Sequence, residues 1–299
     1  MPEADQGDRT VAITVVVPTY RRAERLVGCL EALRTQEVGV PFEVIVVDDG
    51  SPDPVPATLA EACGNAALIR VLRQDNAGPA AARNKGAGAA RGDLLVFTDD
   101  DCRPAPGWLA ALLAAHRAAP NALLGGHTIN GVAGNLFSEA SQDLIAFLEA
   151  EDRQYFASNN IACARRLFED TGGFADGFPL AGGEDREFGL RWTSTERPLV
   201  FVPDALVAHH HDLTARSFWR QHANYGRGAR HMRVRAGDER AGGGGGEVAG
   251  RHAFASLGWY ARLVSWPVRT RQADGLARAG LLGVAQLAAA WGFVTPNRR

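Results

Sequence analysis

"LLVFTDDDCRP", residues 94–104, is the stretch on which the fold turns. A short apolar run without alternation, Leu94 to Thr98, reads as a strand covered on both faces. It ends in three adjacent carboxylates, Asp99, Asp100 and Asp101. Like charges side by side repel, and strand formation has no use for them. Capping the next helix does not explain them either. That helix starts near Pro106, with Arg103, Pro104 and Ala105 in between, and a helix N-terminus needs at most one carboxylate cap. A hard divalent cation takes oxygen ligands, and carboxylates supply them with compensating charge. The stretch therefore reads as a strand that delivers an anionic loop to a cation, and through it to a diphosphate.

The segments around it alternate in the same way. "VAITVVV" (11–17), "FEVIVV" (42–47), "ALIRVLR" (67–73) and "DLLVFT" (93–98) read as strands. Between them lie helical patterns: "AERLVGCLEAL" (23–33) with Leu26, Leu30 and Leu33 in phase, a helix after Pro56, and "PAAARNKGAGAA" (79–90) opened by Pro79. "PGWLAALLAAHRAA" (106–119) follows as a further helix. Strands and helices in alternation imply an α/β fold with a mostly parallel sheet flanked by helices. Beyond residue 120 the pattern loosens. "ALLGGHTI", "NNIACA" and "PLVFVP" read as strands, "REFGLRW" and the basic, aromatic 217–235 as helices. "AGDERAGGGGGEVAG" (236–250) reads as a flexible loop, because it has too little apolar surface to bury. Residues 251–299 read as a helical C-terminal extension, and the polar residues 1–10 as a disordered N-terminus.

Composition narrows the classes. The 299 residues are 46% hydrophobic and 22% charged with a formal charge of −2, so no basic field argues for nucleic acid. Cys29, Cys63, Cys102 and Cys163 are scattered, without CxxC spacing, and read as buried thiols of a cytoplasmic protein. The N-terminus lacks the order of a signal peptide. The most apolar stretch, "LLGVAQLAAAWGFV" (281–294), falls short of the ~20 residues a membrane span needs. It reads as a packed helix. Peripheral contact with the inner face of a membrane is the alternative, given Arg262, Arg269, Arg271 and Arg278 upstream.

In an open parallel sheet, ligands bind outside the carboxyl ends of the strands. Here those ends carry "PTYRR", "DDGSPD", "RQDNAGP" and "TDDDCRP". Turn chemistry accounts for one such end but not for four together. No glycine-rich dinucleotide fingerprint follows the first strand, and no Walker loop is present, so a bound nucleotide must be held by side chains and a metal.

In order and spacing, "VVVPTYRR", "VIVVDDGS", "DNAGPAAARNKG" and "FTDDDCRP" resemble the nucleotide-binding half of family 2 glycosyltransferases with the GT-A fold. The likeness continues through "SNNIACARRLFEDTGGF" (158–174), "GGEDREFGLRW" (182–192) and "AHHH" (208–211). It implies a GT-A domain over 11–235, with a nucleotide-binding half (11–104) and an acceptor half (105–235). It also implies inverting transfer of a sugar from a UDP- or dTDP-type donor to an acceptor hydroxyl, with Mn2+ or Mg2+ as cofactor. Carried over by position, the resemblance puts Pro18, Thr19, Tyr20 and Arg22 around the base and ribose. Asp49 pairs with an imide N–H, Asp48 supports the turn, and Arg83, beside Asn84 and Lys85, lies near the diphosphate. Asp99 meets ribose or metal and Asp101 meets metal, as a DXD pair. Asp100 leaves the register open, and strand alternation favours Asp99 with Asp101. Asp185 is the implied base, with Glu184 beside it. Of His209, His210 and His211, the reading favours His209 as a metal ligand or diphosphate contact.

Some alternatives stay open. Arg220, Tyr225 and Arg227 read first as part of a solvated basic helix and second as diphosphate contacts. Glu184 and Asp185 also suit the acidic first turn of a helix. A nucleotidyltransferase would want a glycine-rich basic loop where "PTYRR" stands. A non-catalytic nucleotide-sugar or glycan binding module would not need Asp99, Asp101, Glu184 and Asp185. The acceptor, whether glycan, lipid-linked sugar or natural product, has no diagnostic motif. The C-terminal helices are candidates for membrane contact or a homodimer.

Overall fold

A computed structural model describes residues 11–55, 68–151, 155–175, 178, 182–241 and 256–295. The expected disordered N-terminus, the helix after Pro56, Cys63 and the five glycines lie outside the described residues. The fold is mixed α/β. Its strands are β1 (Ile13–Thr19), β2 (Phe42–Asp48), β3 (Leu68–Arg73), β4 (Leu94–Thr98), β5 (Cys102–Pro104), β6 (Leu123–Asn130), β7 (Asn160–Ala164) and β8 (Leu199–His209). They form one sheet in the order β3-β2-β1-β4-β7-β6-β8-β5. β1 runs parallel to β2 and β4, and β2 parallel to β3, whereas β7 is antiparallel to β4 and β6.

The chain divides into two compact units. The first is drawn from Met1–Thr128, Ala157–Phe174 and Thr195–Ala208. Every residue of β1, β2 and β4 in it is buried, the polar Thr14, Glu43 and Asp48 included. One core packs Leu26, Cys29, Leu30 and Leu33 of α1 (Ala23–Arg34), and Trp108, Leu109 and Leu112 of α3 (Trp108–Ala118), around Val15, Val17, Val44 and Val96. A second joins Ala82 of α2 (Pro79–Gly88) to Ile45 and Val47. Gly86 lets α2 lie directly on β1, because a Cβ there would come within 2.4 Å of Val16 Cγ1. Several buried polar groups in this unit pair with one another. Thr14 Oγ1 donates to Glu43 at 2.9 Å, Glu43 accepts the Arg91 N–H at 2.7 Å and an Arg70 hydrogen bond at 3.1 Å, and Trp108 Nε1 donates to Asn160 at 2.8 Å. A short helix, α5 (Arg165–Asp170), follows β7. Cys29, Cys102 and Cys163 are buried free thiols.

The second unit is drawn from Ile129–Phe156, Ala175–Ser194 and His209–Arg299. It contains α4 (Leu136–Glu151), α6 (Glu184–Ser194), α7 (Ala215–Ala241), α8 (Leu257–Arg269) and α9 (Gly275–Val294). Helix α4 carries no clean periodicity, because its buried face includes Ser138, Ser141 and Asp143 beside Ala140 and Phe147. Asp143 is tolerated there because Arg278 of α9 donates to both its oxygens, at 2.7 and 2.6 Å. Phe147 meets the rings of Trp259 and Trp266 edge to face, with centroids 5.2 and 5.6 Å apart. Helices α7 and α9 touch backbone to backbone. A Cβ on Gly226 would lie 1.9 Å from the Ala289 carbonyl, and one on Gly292 1.8 Å from that of Ala223.

Two expectations change here. Helix α7 continues through residues 236–241, read above as loop. A helix already formed extends at little cost through residues such as Ala236, Glu239 and Arg240. The apolar stretch 281–294, read above as too short for a membrane span, is part of helix α9, whose 20 residues from Gly275 to Val294 are long and apolar enough to cross a membrane.

Candidate functional site

The strand order places a topological switch point between β1 and β4, since the chain leaves β1 toward β2 on one side and returns to β4 on the other. The carboxylate triplet stands at that point. Past Thr98 the chain turns, with the Cys102 N–H donating to the Asp99 carbonyl at 3.1 Å, so strand alternation does not carry into the triplet. The three carboxylates divide otherwise than alternation suggests. Asp99 accepts from buried Arg83 at 2.6 Å. Asp100 accepts from Thr19 Oγ1 at 2.7 Å, and Arg22 Nη1 reaches both Asp100, at 3.3 Å, and Asp101, at 3.2 Å. Arg25 adds a contact to Asp101 at 3.3 Å. Positive charge does not fully offset the crowding. Burial first, and then the charge of Asp101, push the Asp100 carboxyl up to about 7 against the lowering effects of Arg22 and Thr19. A hard divalent cation takes carboxylate oxygens, and Asp101, held by Arg22 and Arg25, has one to offer. Cys102 beside it stays a thiol, pushed well up by burial and by the charges of Asp101 and Asp99.

The residues expected on the base side are arranged around the end of β2. Asp48 accepts from the Ser51 N–H at 2.9 Å, the Val55 N–H at 3.3 Å and Arg73 at 2.8 Å. Burial works to raise its carboxyl, yet these partners hold it below the ordinary value. Asp49 fills both oxygens with donors from the 74–78 loop: Gln74 at 2.8 Å, Asn76 at 3.2 Å, and the N–H groups of Ala77 and Gly78, each at 2.9 Å. An imide N–H would have to displace one of these, so in this structure Asp49 organises the loop. Pro18 is in register with Val47 in the β1–β2 pair. Tyr20 is exposed with the Arg21 guanidinium 5.1 Å from its ring centre, and Arg21 itself adopts φ 57, a strained left-handed conformation. A cleft of about 610 Å³ opens here, lined by Arg21, Arg22, Arg25, Ser51, Pro52 and Asp53. Asn84 is engaged elsewhere, exchanging hydrogen bonds with the backbone of Phe174 at 2.8 and 2.9 Å.

In the second unit Glu184 and Asp185 open α6, and the two carboxylates part company. Glu184 is buried and accepts the Gly182 N–H at 2.8 Å. Asp185 is half-buried and accepts the Arg186 N–H at 2.8 Å. Glu184 thus holds the turn, and Asp185 is the more accessible carboxylate. The turn depends on Gly182 and Gly183, at φ 138 and 98, and on Gly228 of α7, where a Cβ would stand 1.9 Å from the Gly182 carbonyl. Two aromatic rings flank it. Tyr225 approaches Gly182, and Tyr155 lies under the Arg186 guanidinium at 5.9 Å. Burial and the nearby charge of Asp185 raise the Tyr155 phenol. His209 is the last residue of β8, its carbonyl accepting the Gly131 N–H at 2.8 Å and its ring 4.9 Å from that of His211. Tyr225 and Arg227 are bonded within α7, to Gln221 and Asn224, both at 2.8 Å.

The structure adds Arg25 and Tyr155 to the residues named from sequence. Arg25 was legible, since it lies in the first turn of α1, three residues after Arg22 at the N-cap. Tyr155 was not, because it precedes β7 in a stretch without periodic pattern.

The family model described as "Glycosyl transferase family 2" matches residues 14–178. The pre-mycofactocin glycosyltransferase of Mycobacterium tuberculosis is 33% identical over 255 residues, covering 80% of this chain and 51% of its own length. This chain thus spans about half the length of that relative. The hyaluronan synthase of Pasteurella multocida is 29% identical over 220 residues, covering 60% of this chain and 22% of its own. The mannosyltransferase PcManGT from Pyrobaculum calidifontis, solved with GDP-Man and Mn2+, superposes with a TM-score of 0.59 at 19% identity, covering 97% of this chain and 91% of that one. GalNAc-T7 with UDP, GalNAc and Mn2+ gives 0.56 at 19% identity, over 74% of this chain and 48% of that one. These likenesses show the fold to be that of the GT-A glycosyltransferases. Matched over more than half its length, the chain belongs to glycosyl transferase family 2.

Proposed function

We propose that this chain is an inverting, metal-dependent glycosyltransferase. It moves a sugar from a nucleoside diphosphate donor, of UDP or dTDP type, to an acceptor hydroxyl. The observation that carries the reading is the position of Asp99, Asp100 and Asp101 at the switch point of the sheet, where Asp101 has a carboxylate oxygen to offer a cation. The Mn2+ of PcManGT and GalNAc-T7 supports it. Asp99 and Asp101, with His209, are the proposed ligands of Mn2+ or Mg2+, which would supply charge neutralisation for the departing diphosphate.

The chain's own residues do the rest. Pro18, Thr19, Tyr20 and Arg22 line the base and ribose, and Asp49 takes part through the 74–78 loop it organises. Asp100 receives Thr19 and Arg22 and so fixes the β1 end of the pocket. Arg83 orients Asp99. Asp185 accepts the proton of the acceptor hydroxyl as that oxygen bonds to the anomeric carbon from the face opposite the diphosphate. The carbon–oxygen bond to phosphate breaks, and its electron pair leaves with the nucleoside diphosphate. Glu184 keeps the Asp185 turn in place. The buried thiols fit a reducing, cytoplasmic setting. The relatives named above support a natural-product or glycan acceptor.

The test is a panel of nucleotide sugars with Mn2+ or Mg2+, followed by mass for release of nucleoside diphosphate. Asp101→Asn is expected to weaken metal-dependent nucleotide binding. Asp185→Asn is expected to keep that binding and lose roughly 10²–10⁴-fold in transfer. Full transfer by Asp185→Asn would remove it as the base. If no nucleoside diphosphate is bound or released with any donor, the transferase reading fails.

A further inference from the structure

The second unit presents an apolar surface that nothing among the described residues covers. Eight of the fourteen large apolar side chains exposed among those residues lie on α8 and α9. Leu276, Val284, Leu287, Trp291 and Val294 run along one side of α9, Leu276 at 82% and Leu287 at 66% exposure. The other exposed positions of α9 are alanine and glycine, so no polar side chain interrupts the stripe. Leu257, Tyr260 and Val268 continue the exposed apolar character on α8. Isolated surface leucines are ordinary in soluble proteins; an uninterrupted stripe is not.

Charge selects the occupant. Residues 256–295 contain four arginines and a single acid, Asp274. Arg262 and Arg278 are paired with Glu151 and Asp143 of α4, while Arg269 and Arg271 stand exposed at the turn that leads into α9. Helix α7, in backbone contact with α9, adds exposed Arg216, Arg220 and Arg230. A second copy laid stripe to stripe would bring these like charges together. An anionic lipid surface offers them opposite charge and offers the stripe acyl chains. The opposite side of α9 decides how it would lie. There Arg278 is bound to buried Asp143, and Gly292 lies against the α7 backbone. Crossing the bilayer would strip these partners away, so the helix must lie flat.

We infer that the exposed face of α8 and α9, flanked by the arginines of α7 and of the 269–271 turn, docks this chain on an anionic phospholipid surface with α9 in the plane of the interface. Trp291 and Tyr260 are suited to that depth, each having an apolar ring and a polar atom.

Vesicle flotation of the full 299-residue chain tests this. Vesicles of phosphatidylcholine with about one third phosphatidylglycerol are expected to carry the protein up, and pure phosphatidylcholine about tenfold less. The double substitution Leu287→Glu, Trp291→Glu is expected to reduce flotation at least about tenfold at an unchanged melting temperature. Should that variant fail to fold, Leu276→Gln with Val294→Gln, at the exposed ends of the helix, is expected to give the same loss. Arg269→Glu with Arg271→Glu is expected to weaken binding to the anionic vesicles. No flotation on phosphatidylglycerol vesicles would overturn the inference, as would flotation untouched by either apolar pair. A soluble dimer dissolved by Leu287→Glu, Trp291→Glu in a protein that ignores vesicles would assign the stripe to a second copy instead.

Discussion

Gly228 offers the sharpest test of how the Asp185 turn is held. A Cβ at this position would lie 1.9 Å from the carbonyl oxygen of Gly182 and 2.7 Å from its carbon. Carbon and oxygen in ordinary contact stand about 3.3 Å apart, so Gly228→Ala forces roughly 1.4 Å of movement. The obstacle is backbone, and no flexible side chain can swing away. The Gly182 N–H is bonded to Glu184 at 2.8 Å, so the movement passes into the turn that carries Asp185. Misplacing a catalytic group by about 1 Å costs on the order of 10²-fold, and kcat for transfer should fall by that factor. Stability should change less. Overpacking costs roughly 1–3 kcal/mol, and replacing a helical glycine by alanine returns about 1 kcal/mol. The net loss of about 0–2 kcal/mol corresponds to a melting temperature lower by no more than about 8 °C. The assay pairs steady-state transfer with calorimetric binding of the donor nucleotide, which should stay within about twofold. Gly280→Ala is the control, because nothing lies within 4 Å of a Cβ there. If Gly228→Ala retains the parent's kcat and melting temperature, or if Gly280→Ala is impaired equally, the close approach does not position the turn.

Arg278→Met should destabilise the chain by about 3–5 kcal/mol in urea denaturation, because it strands the buried Asp143 carboxylate; adding Asp143→Leu should recover most of that, and a single-variant loss near 0.5 kcal/mol would refute the pairing. His222 gives a pH dependence. It is buried against Ser141, Phe218 and Tyr225, and burial, reinforced by His211, lowers its pKa to about 4. Between the usual histidine value and about 4, the unfolded chain binds a proton that the folded chain does not. Stability is therefore full above about 6.5 and declines as pH falls, by about 3 kcal/mol once below both values. His222→Gln should flatten this part of the unfolding profile between pH 7 and 4, and a slope unchanged in the variant would place the titration elsewhere.

The half of the chain that forms the switch point was legible because its strands are buried on both faces and its turns are polar. "VVVPTYRR" and "LLVFTDDDCRP" each state a strand and its functional end in one phrase. Helix α4 was not legible, since its inward face carries Ser138, Ser141 and Asp143, whose satisfaction depends on Arg278 more than a hundred residues away. The partition of the aspartates was hidden for a related reason. Alternation is a property of extended backbone, and the turn closed by Cys102 ends it before Asp100. Adjacent Glu184 and Asp185 looked alike in sequence, yet the backbone bend at Gly182 assigns one to the turn and leaves the other accessible.

The buried pairing of Thr14 with Glu43 has a consequence at the far end of its strand. The middles of β1 and β2, residues 15–17 and 44–47, are apolar on both faces, so on their account sliding one past the other by a residue would exchange aliphatic for aliphatic with little penalty. Thr14 lies directly across from Glu43, and Glu43 also receives the Arg91 N–H, while Thr14 receives that of Gly92 just before β4. Only one alignment of three otherwise interchangeable strands satisfies all these groups. The network therefore works as a datum mark at the amino ends, from which each strand is measured out. Because Thr19 lies five residues beyond Thr14 on that scale, β1 ends with its hydroxyl on Asp100 and not one position short of it.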